Sequence, residues 1–358
     1  MEAPAPAARL APLDALRGFA ALAVLVWHYG TGFGAMPMPA LLAPFYRSGG
    51  YAVLFFFLLS GYVLSHAYTT PQRRSGFARN LFARFARMAP LHYATLILVA
   101  GAQAWFVARE GQPFVYQFND GWNFLLNLSF LQQSGLQTGL SFNGPSWSIG
   151  VEMLVNIVFF ALLASRLRLM PLFIAASLAA STLLLLAGGD LLYSDRQPLL
   201  DRLMLGGFAG FFWGAALYRI APPGQPESTA FDAMFAVSLA ATLAMLVLRP
   251  EMPWAQLDVV IAFVAFPALL ICALRGSLTA RLLSAPALRW LGYVSFSLYL
   301  IHFPVQCAFH AVQPSTGPMY QHPGVFVVFV ACSLAAAYLV ARAFEWPVYR
   351  RLTGRRLA

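Results

Sequence analysis

Ten stretches of about 20 predominantly apolar residues dominate this sequence, and each is long enough to cross a lipid bilayer as a helix. They lie at 12–33, 50–69, 88–108, 146–165, 170–187, 200–219, 230–248, 255–274, 290–311 and 324–345. Hydrophobic residues make up 60% of the chain and charged residues only 10%, a balance that excludes a soluble globular domain. We therefore predict an all-α polytopic membrane protein, a bundle of about ten transmembrane helices.

The distribution of basic residues predicts the orientation of this bundle. The chain has no Lys, so all 23 basic residues are Arg. With the N-terminus inside, sixteen of them fall in cytoplasmic segments and five on the opposite side, so the positive-inside rule favours cytoplasmic placement of both termini. The longest polar stretch, about 108–123, is too short for a soluble domain. We predict one membrane domain over 1–358, with a short tail at 1–11 and a basic tail at 347–358.

The first apolar helix carries three ionisable residues: Asp14, Arg17 and His28. Eleven positions on an α-helix correspond to roughly 1100°, about 20° beyond three turns, and to a rise of about 16 Å, so Arg17 and His28 share one face. Ionisable residues within a membrane span are functional-site hypotheses. Asp14, three residues before Arg17, is placed to neutralise and position it. The alternative is an arginine that snorkels to the interface and a histidine that packs on another helix.

Arg84 and Arg87 lie three residues apart where the third predicted helix enters the membrane from the cytoplasm. That spacing puts them on one helix face, where two guanidinium groups can grip a phosphate or pyrophosphate. Anchoring to lipid headgroups is the other interpretation.

The fourth predicted helix opens with Trp147 and carries Glu152 in its outer third. Counting from both helix ends puts Glu152 at about the depth of His28. A carboxylate beside an imidazole can orient it for proton transfer. Two simpler interpretations stay open: Glu152 pairs with an arginine for structure alone, and Trp147 belongs to an interfacial aromatic belt.

Asp14 and Trp147 are candidates for supporting roles, and three further residues join them. Ser60, beside Gly61, lies near the middle of the second helix, and Tyr299 and His302 interrupt the apolar ninth helix. Helix packing through small residues and hydrogen bonds is the alternative role for all three.

Other kinds of site find no support in the sequence. No dinucleotide, Walker, nucleophile-elbow or zinc-protease motif occurs in a suitable context. Cys272, Cys307 and Cys332 lie in separate apolar runs without metal-ligand or redox spacing. We predict no metal site, no permanently bound cofactor and no nucleic-acid partner.

Taken in order, five motifs resemble those of the acyltransferase 3 family of membrane proteins. They are LDALRGFAALAVLVWH, FFFLLSGYVLS, ARFARMAP, PSWSIGVEM and SFSLYLIHFPV, which extend from residue 13 to residue 305. The chain departs from the family pattern at Met153, where a second acidic residue is common, and at Met88 and Ala89, which replace bulkier residues.

The resemblance implies a membrane enzyme that moves an acyl group, commonly acetyl, from cytoplasmic acyl-CoA to a hydroxyl of a carbohydrate. In that role Arg17, Arg84 and Arg87 bind the donor, and His28 is the catalytic histidine, with Glu152 at the family's acidic position. The resemblance also implies a bacterial inner-membrane location. A stand-alone form without the SGNH domain that many members carry is expected.

Several questions stay open at the level of sequence. His28 can serve as a general base or as a nucleophile that forms an acyl-histidine. The acceptor, the acyl length, the side of the membrane where transfer occurs and the oligomeric state are not encoded in any residue pattern. A secondary transporter and a non-catalytic partner in polysaccharide assembly are the alternative functions.

Overall fold

The computed structural model describes residues 10–68, 76–165, 170–186, 201–249, 255–313 and 318–354, and these residues form helices and connecting turns without a strand. The first eight helices are α1 Ala11–Phe33, α2 Pro39–Ser48, α3 Ala52–Tyr68, α4 Phe77–Glu110, α5 Gly121–Leu128, α6 Trp147–Ser165, α7 Met170–Leu186 and α8 Arg202–Ile220. They are followed by α9 Thr229–Leu248, α10 Ala255–Val260, α11 Phe266–Arg275, α12 Ser277–Leu283, α13 Pro286–Val312, α14 Pro318–Gln321, α15 Pro323–Val340 and α16 Trp346–Thr353. Short 3-10 turns precede α3 and α6, and π-helical turns at Ile261–Ala265 and Ala341–Glu345 join α10 to α11 and α15 to α16.

Each predicted apolar window coincides with a helix, and the largest difference is at the third. Helix α4 begins at Phe77, eleven residues before the predicted start, and is 34 residues long. The added turns contain arginines, which lower the hydropathy but favour helix, and no proline occurs before Pro90. Likewise, the predicted tail at 347–358 is helical as far as Thr353.

Seven helical stretches among the described residues are long and apolar enough to cross a membrane, which agrees with an integral membrane protein. Helices α1 and α13 fall outside that set because their polar side chains lower the mean hydropathy. The count of ten spans and the cytoplasmic position of both termini remain predictions.

Glycines allow α3 and α8 to pack backbone against backbone. A Cβ at Gly61 would lie 1.8 Å from the carbonyl oxygen of Phe211, and one at Gly214 would lie 2.0 Å from that of Leu58. Small residues permit this approach, which gains dispersion contacts where lipid supplies no hydrophobic drive. The α3 wall beside Ser60 is therefore held in a fixed position.

The segment between α4 and α6, expected as an external loop, is folded into the bundle. Its polar side chains Asn123, Gln133, Asn143 and Ser146 are each 1% exposed. The Asn143 side chain donates to the carbonyl of Leu300 on α13 at 3.0 Å. Irregular backbone is tolerated at membrane depth when protein covers it, so α6 begins within the protein and not at its surface.

We expect the substitution Gly61→Ala to lower the stability by about 2 kcal/mol or more, because the added methyl group collides with a backbone carbonyl that cannot move aside. Gly101→Ala on α4 is the matched control: its Cβ meets nothing within 4 Å, so the lower chain entropy should stabilise the helix by about 0.5 kcal/mol. Thermal unfolding of both variants in detergent measures the difference. Equal melting temperatures would contradict the close α3–α8 packing.

Candidate active site

A cavity of about 360 Å³ lies among α1, α3, α4, α6, α13 and α16. Seven of the ten predicted site residues line it: Asp14, Arg17, Ser60, Arg84, Arg87, Glu152 and Tyr299. Its volume falls in the range of small-molecule sites, and its walls combine apolar side chains with a few charged groups. The structure thus brings together residues that lie up to 285 positions apart in the sequence.

Glu152 joins α3, α4 and α6 at one side of the cavity. Its carboxylate accepts a hydrogen bond from Ser60 Oγ at 3.0 Å and forms an ion pair with Arg84. Both side chains of the ion pair retain about a fifth of their exposure, toward the cavity. The ion pair therefore places Arg84 beside the middle of α3. Arg84 lies within α4, which begins at Phe77, and not, as predicted, at the start of a helix.

Arg87 is held by a second carboxylate, which the sequence analysis did not single out. Glu345 forms an ion pair with Arg87 through one oxygen and accepts a hydrogen bond from Ser297 Oγ through the other. The guanidinium carbon of Arg87 also lies 4.1 Å from the ring centroid of Trp346 and 4.6 Å from that of Phe296. Each arginine of the pair predicted to bind phosphate thus has a carboxylate partner that is itself bound by a serine.

Charges in and beside the cavity balance among the described residues. Arg17 interacts electrostatically with Asp14, Arg84, Glu152 and Arg87. The three arginines match three carboxylates, Asp14 and Glu152 on the wall and Glu345 behind it. Pairing offsets the cost of desolvating each charge.

His28 lies outside the cavity wall, against His302, with the two ring centroids 4.9 Å apart. Its Nδ1 is 2.9 Å from the carbonyl oxygen of Val24. A carbonyl oxygen only accepts, so Nδ1 carries the proton of the neutral ring and Nε2 keeps its lone pair. His302 repeats the arrangement on α13, with Nδ1 3.1 Å from the carbonyl of Leu298. Both rings therefore have a defined tautomer with Nε2 as the basic atom.

Tyr299 lies both at the cavity and beside His302. It lines the cavity, and its ring centroid is 6.1 Å from that of His302. Its hydroxyl donates to the carbonyl of Pro145 at 2.6 Å, so Ser148 Oγ, at 2.7 Å, must donate to Tyr299. Two hydrogen bonds thus fix the Tyr299 side chain, which connects the cavity wall with the ring of His302.

The expected contact between Glu152 and His28 does not form in this structure, where the Glu152 carboxylate binds Ser60 and Arg84. The depth count assumed that the fourth helix starts at the membrane surface, whereas α6 starts inside the protein, where Pro145 meets Tyr299. Glu152 instead lies on the cavity wall with Arg17, with which it interacts electrostatically. The pairing with an arginine is the one observed, and catalytic roles for His28 and Glu152 stay predictions.

Trp147 does not belong to an interfacial aromatic belt. It is 7% exposed, in the core, with its ring centroid 6.3 Å from that of Phe57. Conversely, the cavity wall includes His66, Tyr293 and Trp346, to which the sequence analysis gave no role. The burial of Trp147 follows from the start of α6, which lies inside the bundle.

In the part of the chain that the structure describes, a bundle of helices, seven of its stretches long and apolar enough to cross a membrane, surrounds a cavity with charged side chains, which is the architecture of an integral membrane protein. Its family follows from comparison with known proteins. The chain belongs to the acyltransferase family whose model, described as an acyltransferase domain, matches residues 10–342. The resemblance drawn from the five motifs is thereby confirmed.

Relatives include the acyltransferase MdmB of Streptomyces mycarofaciens, 35% identical over 155 residues that cover 42% of this chain and 38% of that protein. Protein 2 in the picA locus of Rhizobium radiobacter is 32% identical over 169 residues, 43% of this chain and 82% of that protein. The peptidoglycan O-acetyltransferase OatA of Listeria monocytogenes is 23% identical over 380 positions, 94% of this chain and 55% of that protein. The chain thus spans about two fifths of MdmB and about half of OatA. No solved structure matches the chain.

We expect Arg84→Gln and Glu152→Gln to destabilise the protein individually, by about 1–3 kcal/mol, because each leaves a partly buried charge without its partner. The double substitution should cost less than the sum, since it leaves no unpaired charge. Unfolding of the four proteins in mixed micelles measures the coupling. Additive effects would show that the two charges act independently.

Proposed function

We propose that this protein is a membrane O-acyltransferase that transfers an acyl group, expected to be acetyl, from acyl-CoA to a hydroxyl group of a carbohydrate. Membership of the acyltransferase family supports the reaction class. The carbohydrate acceptor is supported by the similarity to a peptidoglycan O-acetyltransferase. The observation that carries the proposal is one cavity that presents Arg17, Arg84 and Arg87 and ends at Tyr299, beside the buried histidine pair.

The arginines supply the chemistry that a CoA donor requires. Planar guanidinium groups bind phosphate oxygens through paired hydrogen bonds and keep their charge at any physiological pH. Arg84 and Arg87 are one turn apart on α4, and both line the cavity. In the proposed complex the donor phosphates bind these two residues and Arg17, and the pantetheine arm extends along the apolar wall toward Tyr299. Entry from the cytoplasm, in a bacterial inner membrane, is part of the proposal.

His28 is the proposed general base, through Nε2. This atom takes the proton of the acceptor hydroxyl while the hydroxyl oxygen attacks the thioester carbonyl carbon. The C–S bond then breaks, and the CoA thiolate leaves with the proton returned from the His28 imidazolium. The hydrogen bond from Nδ1 to Val24 fixes the ring in the required tautomer. In the competing version His28 Nε2 attacks the thioester itself and passes the acyl group on.

We expect His28→Ala to reduce acetyl transfer at least 100-fold, the usual contribution of a general base. The assay follows radiolabelled acetyl-CoA in membranes that contain the protein, with peptidoglycan glycan strands as the acceptor tested, and measures free CoA and labelled glycan. His322→Ala is the control, because His322 is exposed, caps α15 and does not line the cavity.

Wild-type protein that consumes no acetyl-CoA would contradict the proposed donor. Uptake of a solute by proteoliposomes without thioester consumption would then favour a transporter. Full transfer by the His28→Ala protein would contradict the catalytic role of His28, and tolerance of substitutions at Arg17, His28 and Glu152 together would favour a non-catalytic partner. Hydroxylamine-sensitive label on the protein would select the acyl-histidine version.

We also expect Glu152→Gln to tighten acetyl-CoA binding severalfold, whatever its effect on turnover. Glu152 lies on the cavity wall and pairs with Arg84, so a phosphate that binds Arg84 must compete with it. Neutralising the carboxylate removes that competition and adds positive charge to the site. Equilibrium binding of labelled acetyl-CoA to purified protein provides the test, and weaker binding would mean that Glu152 positions Arg84 instead of competing for it.

A further inference from the structure

Glu345 is the most deeply buried carboxylate near the cavity, and the proposed reaction gives it no role. Its side chain is 1% exposed, and the residue does not line the cavity, although its neighbour Trp346 does. An uncompensated charge at such a position costs several kcal/mol, so its partners explain why it is retained. Those partners are Arg87 and Ser297, each bound to a different carboxylate oxygen.

The π-helical turn at Ala341–Glu345 determines how these groups face Arg87. The turn carries an extra residue relative to an α-helix, and such turns are frequent at functional sites. It places the Glu345 carboxylate behind the Arg87 guanidinium and the Trp346 indole against its face, 4.1 Å from the centroid. Tyr293 in turn stacks on Trp346, with centroids 5.7 Å apart and planes 18° apart. The guanidinium is therefore held by a carboxylate and by two aromatic rings, those of Trp346 and Phe296.

We propose that Glu345 is a positioning residue that holds the Arg87 guanidinium in the cavity wall for a phosphate group of the acyl-CoA donor. The inference rests on the proposed function and goes beyond it by assigning Glu345. Arg87 uses Nη1 for Glu345, and its side chain is 19% exposed and lines the cavity, so the guanidinium has further N–H donors for a ligand there. A guanidinium fixed before the ligand arrives loses less conformational entropy on binding.

The two carboxylates beside α4, those of Glu152 and Glu345, are therefore expected to have opposite effects on the affinity for the donor. Glu152 lies on the wall, where a bound phosphate would meet it, whereas Glu345 lies behind Arg87, out of the ligand's reach. Removing the charge of Glu345 makes the cavity region more positive, so simple electrostatics predicts tighter binding of an anionic donor. Positioning predicts the reverse, weaker binding, because Arg87 loses its fixed geometry.

The test is equilibrium binding of radiolabelled acetyl-CoA to purified full-length protein in lipid nanodiscs, a readout that needs no acceptor and no turnover. We expect Glu345→Gln to raise the Kd about tenfold, the loss associated with one charge-assisted hydrogen bond, and Arg87→Gln to do the same. The double variant should bind no more weakly than either single variant. Glu110→Gln is the matched control, because Glu110 ends α4, 23 residues after Arg87, where its carboxylate is paired with His310 and does not line the cavity.

An unchanged or lower Kd for Glu345→Gln, with a raised Kd for Arg87→Gln, would overturn the positioning role and leave the proposed function intact. Additive losses in the double variant would also overturn it. If wild-type protein does not bind acetyl-CoA, the proposed function itself fails. Should Glu345→Gln not fold, Ser297→Ala is the second variant: it frees one carboxylate oxygen, and we expect a two- to threefold rise in Kd with Arg87 present and none in the Arg87→Gln background.

Discussion

The arrangement of this protein depends on two ion pairs made by successive turns of α4. Arg84 binds Glu152 of α6, and Arg87 binds Glu345 at the junction of α15 and α16. Ser60 of α3 donates a hydrogen bond to the Glu152 carboxylate, and Ser297 of α13 donates one to the Glu345 carboxylate. In an apolar interior a charge is stable only when it is paired and hydrogen-bonded, so these contacts fix how the surrounding helices meet. The cavity is the space that remains between the helices joined by these ion pairs.

Much of the fold follows from hydropathy alone, because a bilayer demands helices of a set length and apolarity. The ten windows each fall on a helix, yet the first turns of α4 were missed since arginines there lower the hydropathy without opposing helix formation. The site residues could be identified in the sequence by their ionisable character. Which of them form pairs could not be predicted. Pairing depends on where α6 starts, and that depends on a buried segment whose Asn, Gln and Ser residues look like those of an external loop. Glu345 carried a readable signal, being an acidic residue in an apolar span.

The histidine pair lies apart from the charged side chains that line the cavity. Arginines and carboxylates occupy the cavity, whereas His28 and His302 are packed beyond Tyr299 and the start of α6. Both histidines bond an i−4 carbonyl through Nδ1, so the two helices present equivalent basic atoms to the same region. A donor bound at the arginines and an acceptor that approaches the histidines would meet at Tyr299. Separate approaches of this kind suit a reaction between a nucleotide-linked substrate and a sugar.

The balance of three arginines against three carboxylates bears on product release. A cluster of unpaired guanidinium groups would hold any polyphosphate tightly, including spent CoA, and turnover would then be limited by its departure. In the proposed reaction, Glu152 would pair with Arg84 again as the phosphate leaves, so the charge of Arg84 would be balanced throughout. The kinetic consequence expected of this charge balance is moderate donor affinity with rapid exchange.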